Sequence, residues 1–195
     1  MSLVAENLAC ERNGRLVFSK LTFTIQPGEC AELRGSNGSG KSSLLRLLSG
    51  LVPLASGTLK FKGETDFKTA LHLIAHQDAI KNVMTVKENM QFWCDVMGGA
   101  SITAALQAFH LEALKDEPAQ LLSAGQRRRL TLSRLFLSSR PVWLLDEPMT
   151  ALDQSTQTVL RAHMTNHLKT AGIVIAATHG DLGIEPDRVI TLGEA

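Results

Sequence analysis

Gly35-Ser36-Asn37-Gly38-Ser39-Gly40-Lys41-Ser42 follows the spacing G-x-x-x-x-G-K-[ST] of a phosphate-binding P-loop. A strand-like run, Cys30-Ala31-Glu32-Leu33-Arg34, precedes it, and a helix-like run, Ser43-Leu44-Leu45-Arg46-Leu47-Leu48, follows. That strand–loop–helix context separates the motif from a chance match. Gly35, Gly38 and Gly40 let the backbone turn so that several N–H groups face one anion. The helix presents its positive N-terminal end to the same anion. Residues Gly35, Ser36, Asn37, Gly38, Ser39, Gly40, Lys41, Ser42 and Ser43 form the expected nucleotide-binding set. Lys41 is expected to reach the β- and γ-phosphates, and the Ser42 hydroxyl to sit on Mg²⁺. The bland alternative is a solvated lysine in a Gly/Ser-rich turn, and eight positions in pattern with the right flanks weigh against it.

Bulk properties narrow the class around this motif. A chain of 195 residues makes one domain, or one domain with a small subdomain. It is long enough to bury about two thirds of its unfolded surface without a disulfide or metal staple. A hydrophobic content of 44% with 20% charge is ordinary for a globular chain and argues against disorder. The net charge of +1 gives no strong field toward nucleic acid or an anionic membrane. Few aromatics and no tyrosine leave little for stacking along a nucleic-acid strand. No long apolar run and no basic start followed by an apolar core occur, so neither a membrane span nor a signal peptide is expected. Cys10, Cys30 and Cys94 are far apart and lack C-x-x-C spacing, which disfavours structural zinc and suits a reducing compartment.

Outward from the P-loop, the pattern alternates between strands and helices. Leu3, Ala5 and Leu8, then Leu21, Phe23 and Ile25, read as antiparallel strands joined at Asn13-Gly14 and closed by Pro27-Gly28. Thr58 to Gly63 is another strand and turn, and Leu71 to His76 a buried strand with Gln77 at its end. Thr85 with Glu88 forms a capping box for a helix carrying Met90, Trp93, Val96 and Met97. Ala104, Ala105, Ala108 and Leu111 mark a second helix, and Ser123-Ala124-Gly125-Gln126 opens a third that Arg140-Pro141 stops. The insert runs from about Asn82 to Leu122, and the helical subdomain spans about 82–139. Val142 to Leu145, Ile173 to Ala177 and Val189 to Leu192 are strands, the last at an edge, with a helix from about Gln154 to Thr170. The expected fold is α/β: a P-loop nucleoside triphosphatase core with a parallel sheet, an N-terminal antiparallel β subdomain and a small helical subdomain.

Val142-Trp143-Leu144-Leu145-Asp146-Glu147 supplies the second half of a nucleotide site. Four apolar residues fix the strand in the sheet, and the acids emerge at its carboxyl end beside the P-loop. Asp146 is expected to hold Mg²⁺, which usually keeps several waters. Glu147 is placed to polarise an attacking water.

Leu122-Ser123-Ala124-Gly125-Gln126 discriminates further. It resembles the L-S-G-G-Q signature of ATP-binding cassette proteins. The resemblance runs nearly end to end, through the P-loop, Gln77, the signature, the Asp146-Glu147 strand end, Ala151-Leu152-Asp153 as the D-loop, and His179 as the switch histidine. It implies that the whole chain, 1–195, is one nucleotide-binding domain that binds ATP with Mg²⁺. It implies catalytic roles for Glu147, His179 and Gln77, and Mg²⁺ contacts from Ser42, Gln77 and Asp146. Ser123, Ala124, Gly125 and Gln126 would meet the γ-phosphate held by a second nucleotide-binding subunit, so a homodimer is expected, isologous in form.

Two positions depart from the family pattern. Ala124 replaces the usual first glycine; its N–H remains, but a positive φ there is disfavoured. Cys10-Glu11-Arg12-Asn13 carries no ring to stack on adenine, leaving the Arg12 guanidinium plane or Phe18. Arg127-Arg128-Arg129 reads as a solvated helix face rather than a nucleic-acid patch, because the run is short and the net charge near neutral. Trp93, Met90 and Met97, at helical spacing, read as subdomain core or as a groove for a partner's helix.

Four features resemble more particularly the ATPases of the cytochrome c maturation haem exporter. They are the short length, the Ser-Ala-Gly-Gln signature, Leu8 to Arg12 followed by Leu21 to Thr24, and the Ile74-Ala75-His76-Gln77 strand end. This implies integral membrane partners, a place at the cytoplasmic face of the inner membrane, and ATP-driven release of a haem-loaded chaperone, with no direct haem binding and no nucleic acid. The alternatives are a cassette for another cargo, a soluble non-transport cassette ATPase, or a small-molecule kinase. The last would have no use for Leu122 to Gln126 or for Ala151 to Asp153.

Overall fold

Asn13 and Gly14 both take positive φ, 51° and 73°. This is the backbone of a two-residue type I′ hairpin, whose twist matches its flanking strands. It joins β1 (Ser2–Arg12) to β2 (Arg15–Ile25), with Arg12 opposite Arg15 and Leu3 opposite Ile25. The structure is a computed structural model that describes residues 2–63, 69–99 and 101–193. The further elements are β3 (Cys30–Arg34), α1 (Lys41–Leu48), β4 (Ser56–Lys62), β5 (Leu71–Ile74), α2 (Val86–Met97), α3 (Thr103–Ala108), α4 (Ala124–Ser133), β6 (Val142–Asp146), α5 (Gln154–Lys169), β7 (Ile173–Ala177) and β8 (Arg188–Thr191). Short 3-10 turns occupy Glu112–Leu114, Ala119–Leu121 and Arg134–Phe136.

Two sheets result. One is antiparallel in the order β2-β1-β4; the other is parallel throughout, in the order β5-β6-β7-β3-β8. The inner strands β6 and β7 are buried at every position, as strands covered on both faces are, whereas the edge strand β8 is largely exposed. Val142, Leu144, Ile173, Ile175, Ala31 and Leu33 share one core with the leucines of α1 and with Leu3, Ala5 and Leu8 of β1. Trp143, Leu145, Val174 and Ala176 share the other with α5 and with the helices between β5 and β6. Those helices therefore have no core of their own apart from the sheet. Cys10, Cys30 and Cys94 are free buried thiols, and burial pushes the Cys30 thiol up to about 12. Among the described residues no helix is long and apolar enough to cross a membrane.

Several boundaries differ from the sequence pattern. β5 ends at Ile74, so Ala75, His76 and Gln77 lie in a loop. α4 gives way to a 3-10 turn at Arg134, ahead of Arg140-Pro141. The strand order carries the consequence for the site: β7 lies between β6 and β3. Whatever follows β7 emerges between the P-loop and the acids that end β6.

Candidate active site

The loop after β3 must turn sharply back over its own strand. Gly35 takes φ 145°, and a Cβ there would collide with the Leu192 carbonyl and with Ser39. Only glycine fits that conformation and that space. The loop ends at Gly40 (φ 104°), which caps α1 without a side-chain hydrogen bond. The first N–H groups of α1 thus keep their capacity for an anion.

Asn37, Gly38, Gly40, Lys41, Ser42 and Ser43 line a cleft of about 490 Å³ together with His76, Asp146, Glu147, Thr150 and His179. Lys41 Nζ donates to the Gly35 carbonyl at 2.7 Å and the Ser36 carbonyl at 3.1 Å, and lies 3.2 Å from His179 Nε2. For the lysine to donate to that nitrogen, the imidazole proton must sit on Nδ1. His179 Nε2 is also 3.9 Å from Glu147 Oε1. The histidine after β7 thus stands between the lysine after β3 and the acid after β6, as the strand order requires. Ser39 points its hydroxyl inward, where it has no hydrogen-bond partner among the described residues.

Glu147 adopts φ 48°, a left-handed backbone that a non-glycine residue takes at a cost of about 1–2 kcal/mol. Four hydrogen bonds hold it there, one of them the turn bond from Thr150 N to its carbonyl at 3.2 Å. Its N–H donates to the Ala177 carbonyl at 2.8 Å. Arg128 Nη2 donates to the Glu147 carbonyl at 2.7 Å and to the Asp146 carbonyl at 2.9 Å. Charge-assisted bonds of this kind contribute about 1.5–3 kcal/mol each, enough to offset the strain.

This overturns the reading of Arg127-Arg128-Arg129 as a solvated face. Arg128 is 5% exposed, and Nη1 bonds the Ala75 carbonyl at 3.2 Å and lies 3.7 Å from Asp78. Burial pulls its pKa below the ordinary arginine value, while Asp78, Asp146 and Glu147 pull it back. Arg127 bonds Asn82 and the Ala119 carbonyl, and Arg129 bonds the Phe109 carbonyl. Residue spacing of i, i+3, i+6 puts Arg128, Thr131 and Arg134 on one face of the chain. That face meets β5 and the loop after it: Thr131 donates to Asp78 at 2.8 Å and Arg134 to the Leu73 carbonyl at 3.3 Å. A polar stripe on an inward helical face was the available signal.

The structure does not bring Gln77 into the cleft. His76 lines it instead, and Gln77 lines a groove of about 330 Å³ with Leu51, Leu73, Trp93, Met97 and Arg134. His72 also borders that groove, and burial depresses its pKa to about 4. Met90 is fully buried, whereas Trp93 and Met97 are partly buried at the groove, so the Met/Trp stripe is both core and groove wall.

Ser123 lies outside the cleft as well. It is exposed and caps α4 through a reciprocal box: its hydroxyl accepts from Gln126 N at 3.3 Å, and its N–H donates to Gln126 Oε1 at 2.8 Å. Ala124 begins the helix with no positive φ, as its side chain requires. Asp153 caps α5, accepting from Thr156 N and Ser155 Oγ, and those bonds hold its carboxyl down at about 2. Phe18 is buried beside Gly40 and Arg12 lies exposed at the hairpin.

A family model described as ABC transporter matches residues 18–150. The chain belongs to the ABC transporter family. It is an ATPase of that family. Over 200 residues it is 46% identical to a Nitrobacter winogradskyi protein named cytochrome c biogenesis ATP-binding export protein CcmA, covering all of both chains. A Rhodopseudomonas palustris protein of the same name is 45% identical, again over the full length of both. Among solved structures, the ATP-binding subunit of an ABC transporter superposes with a TM-score of 0.83 at 21% identity, over 92% of this chain and 80% of that one. That likeness speaks for the fold, including the α/β core and the antiparallel sheet of this ABC transporter ATPase.

Proposed function

We propose that two copies of this chain close around two ATP molecules, each held by the P-loop cleft of one copy and the α4 terminus of the other. The observation that carries this reading is a separation. Lys41, Ser42, Asp146, Glu147 and His179 meet in one cleft, while Ser123 opens a helix exposed outside it. Two phosphate-seeking helix starts that do not share a cleft within one chain are suited to share one between two chains.

Within each composite site, Lys41 neutralises the β- and γ-phosphates and Glu147 orients and polarises the attacking water. His179, set between them, holds the γ-phosphate against the acid. Ser42 and Asp146 offer a hydroxyl and a carboxylate on one cleft wall, an oxygen set that fits Mg²⁺, whose bound charge would offset that of the triphosphate. Gln77 serves as the further contact to ion and water when the loop after β5 shifts toward the cleft. Its present place, one residue from His76, lets a single loop sense both the cleft and the groove. Ser123, Ala124, Gly125 and Gln126 meet the facing γ-phosphate, and Asp153 borders the facing chain as its D-loop residue.

The groove of Gln77, Trp93 and Met97 receives an integral membrane partner, placing the chain at the cytoplasmic face of the inner membrane. The relatives' name, with its coupling of ATP binding to export in cytochrome c biogenesis, supports a role in the haem exporter of that system. There ATP turnover releases a haem-loaded chaperone, and haem itself does not touch this chain.

Glu147→Gln tests the core of this reading. ATP affinity should stay within about threefold, turnover should fall by about 10²–10⁴, and an ATP-bound dimer should accumulate in size-exclusion chromatography. Turnover near wild type would remove Glu147 from the catalytic role. For the cargo, the wild-type chain should restore haem-stained cytochrome c to a strain lacking its own exporter ATPase, and the variant should not. A wild-type chain that hydrolyses ATP beside its membrane partners yet restores no cytochrome c would point to another cargo.

A further inference from the structure

The carboxylate proposed to activate water sits on a strained backbone, and within its own turn the Glu147 carbonyl accepts only one bond, from Thr150 N at 3.2 Å. Glu147 is the first residue past β6, so its carbonyl has left the sheet and has no ladder partner. A shorter, charge-assisted bond comes from α4, eighteen to nineteen residues earlier in the chain: the Arg128 guanidinium. We propose that Arg128 is a positioning residue for Glu147, fixing the direction of its carboxylate by gripping the peptide groups on both sides of it.

The geometry supports this in three ways. First, Nη2 reaches the Asp146 and Glu147 carbonyls together, at 2.9 and 2.7 Å, while β7 holds the Glu147 N–H through Ala177 at 2.8 Å. With the peptide planes on both sides of a Cα fixed, the direction of its Cα–Cβ bond is fixed too. Second, the guanidinium is itself held. Nη1 bonds the Ala75 carbonyl and faces Asp78 at 3.7 Å, and Asp78 accepts a hydrogen bond from Thr131, one helical turn along α4. Third, the demand is for a planar fork. Three carbonyls and a carboxylate approach from different directions, which a rigid guanidinium satisfies and a single ammonium does not.

The same contacts tie together three parts of the site. α4 opens with Ser123, the loop after β5 carries His76 and Gln77, and β6 ends in the acids. Arg128 touches the backbone of the last two from the first. A displacement of the α4 terminus, where the facing nucleotide would dock, is therefore felt at the Glu147 carbonyl. This inference rests on the reading of Glu147 as the acid that orients water.

The test compares Arg128→Met, Arg128→Lys, Glu147→Gln and the wild-type chain for kcat, KM, MgATP affinity and melting temperature. Arg128→Met keeps the stem and removes the fork; Arg128→Lys keeps the charge and folds more readily, but cannot span the carbonyls. Both should lower kcat by about 10- to 100-fold, the loss expected when a catalytic group is misplaced by about 1 Å. KM and MgATP affinity should remain within about threefold, because the P-loop is untouched. A kcat within twofold of wild type in Arg128→Lys would overturn the proposal. So would a loss of kcat matched by an equal loss of MgATP affinity, since that reports general damage to the fold. Wild-type turnover that survives Glu147→Gln would instead defeat the assignment of the acid, and so is distinguishable.

Discussion

Two helix starts in this molecule are built from similar residues and behave differently. α1 follows Gly38-Ser39-Gly40, and α4 follows Leu122-Ser123 and begins Ala124-Gly125. At α1 the cap is a glycine with no side-chain bond, and the first helical residue is a buried lysine whose ammonium lies among loop carbonyls. At α4 the cap is a serine in a closed box with Gln126, and the nearby arginines are turned toward backbone carbonyls. The first start is an anion site that brings its own cation. The second has already satisfied two of its end groups. What it retains are the N–H groups of Ala124 and Gly125 and the Ser123 hydroxyl proton, for the hydroxyl is an acceptor in the box and still has its own hydrogen to donate. Such a terminus adds specificity to a phosphate neutralised elsewhere. It is a poor primary site.

The largest expected effect on ATP binding therefore lies at α1. Lys41→Ala removes the one charge aimed at the β- and γ-phosphates. With hydrogen bonds to charged groups contributing about 1.5–3 kcal/mol each, ATP affinity should drop by about 100-fold, read by calorimetry at fixed Mg²⁺. Unchanged affinity would erase the distinction between the two helix starts. Ser123→Arg is the matching lesion at α4. It should leave ATP affinity of the single chain within about threefold and reduce hydrolysis by at least about 100-fold, since it sets bulk against the facing nucleotide. The wild-type rate per chain should rise with protein concentration. Hydrolysis by a strictly monomeric species, at a rate independent of concentration, would sink the composite site.

Gly125→Ala should have a middling effect. A Cβ at Gly125 would sit 3.1 Å from the Ala151 carbonyl, in a turn where Ala151 already takes φ 62°. The turn must yield by a few tenths of an ångström. Overpacking of this kind costs about 1–3 kcal/mol, to be seen as a lower melting temperature and a several-fold loss of turnover.

The two starts were not equally legible. The P-loop declares itself because its chemistry is local: the glycines, the lysine and the flanking elements are consecutive, and the structure builds the cleft wall from them. The parallel core was legible from apolar strands buried on both faces, and the hairpin from Asn13-Gly14. The placement of Gln77 was not. The resemblance gave Gln77 its role, but β5 stops at Ile74, and in the loop beyond a strand's end no regular alternation of sides fixes which way a residue faces. Arg128 was misread for a related reason. Three consecutive arginines resemble a solvated surface, and the acceptors that bury the middle one lie 18, 19 and 53 residues away. No local pattern shows them. Only the polar residues at 128, 131 and 134, falling on one face of a helix otherwise rich in buried leucine, hint that the face looks inward.

The smallest effect should come from Ala124→Gly, which restores the residue usual at this position in the family. If the signature needed a positive φ there, glycine would improve the site. Ala124 instead opens α4 in ordinary helical geometry, and none of the positive φ angles falls on it. Ala124 borders a small cavity of about 170 Å³ with His76, Asp78 and Glu147, and its N–H is the same in either residue. Glycine would only widen the conformational freedom of the first helical turn, at a cost below about 1 kcal/mol. Hydrolysis should therefore stay within about twofold of wild type, with a slightly lower melting temperature, while Gly125→Ala is visibly impaired. A gain of fivefold or more on Ala124→Gly would show that α4 must leave helical geometry at its first residue to meet phosphate. The contrast between an open and a closed helix start would then hold only for the chain by itself.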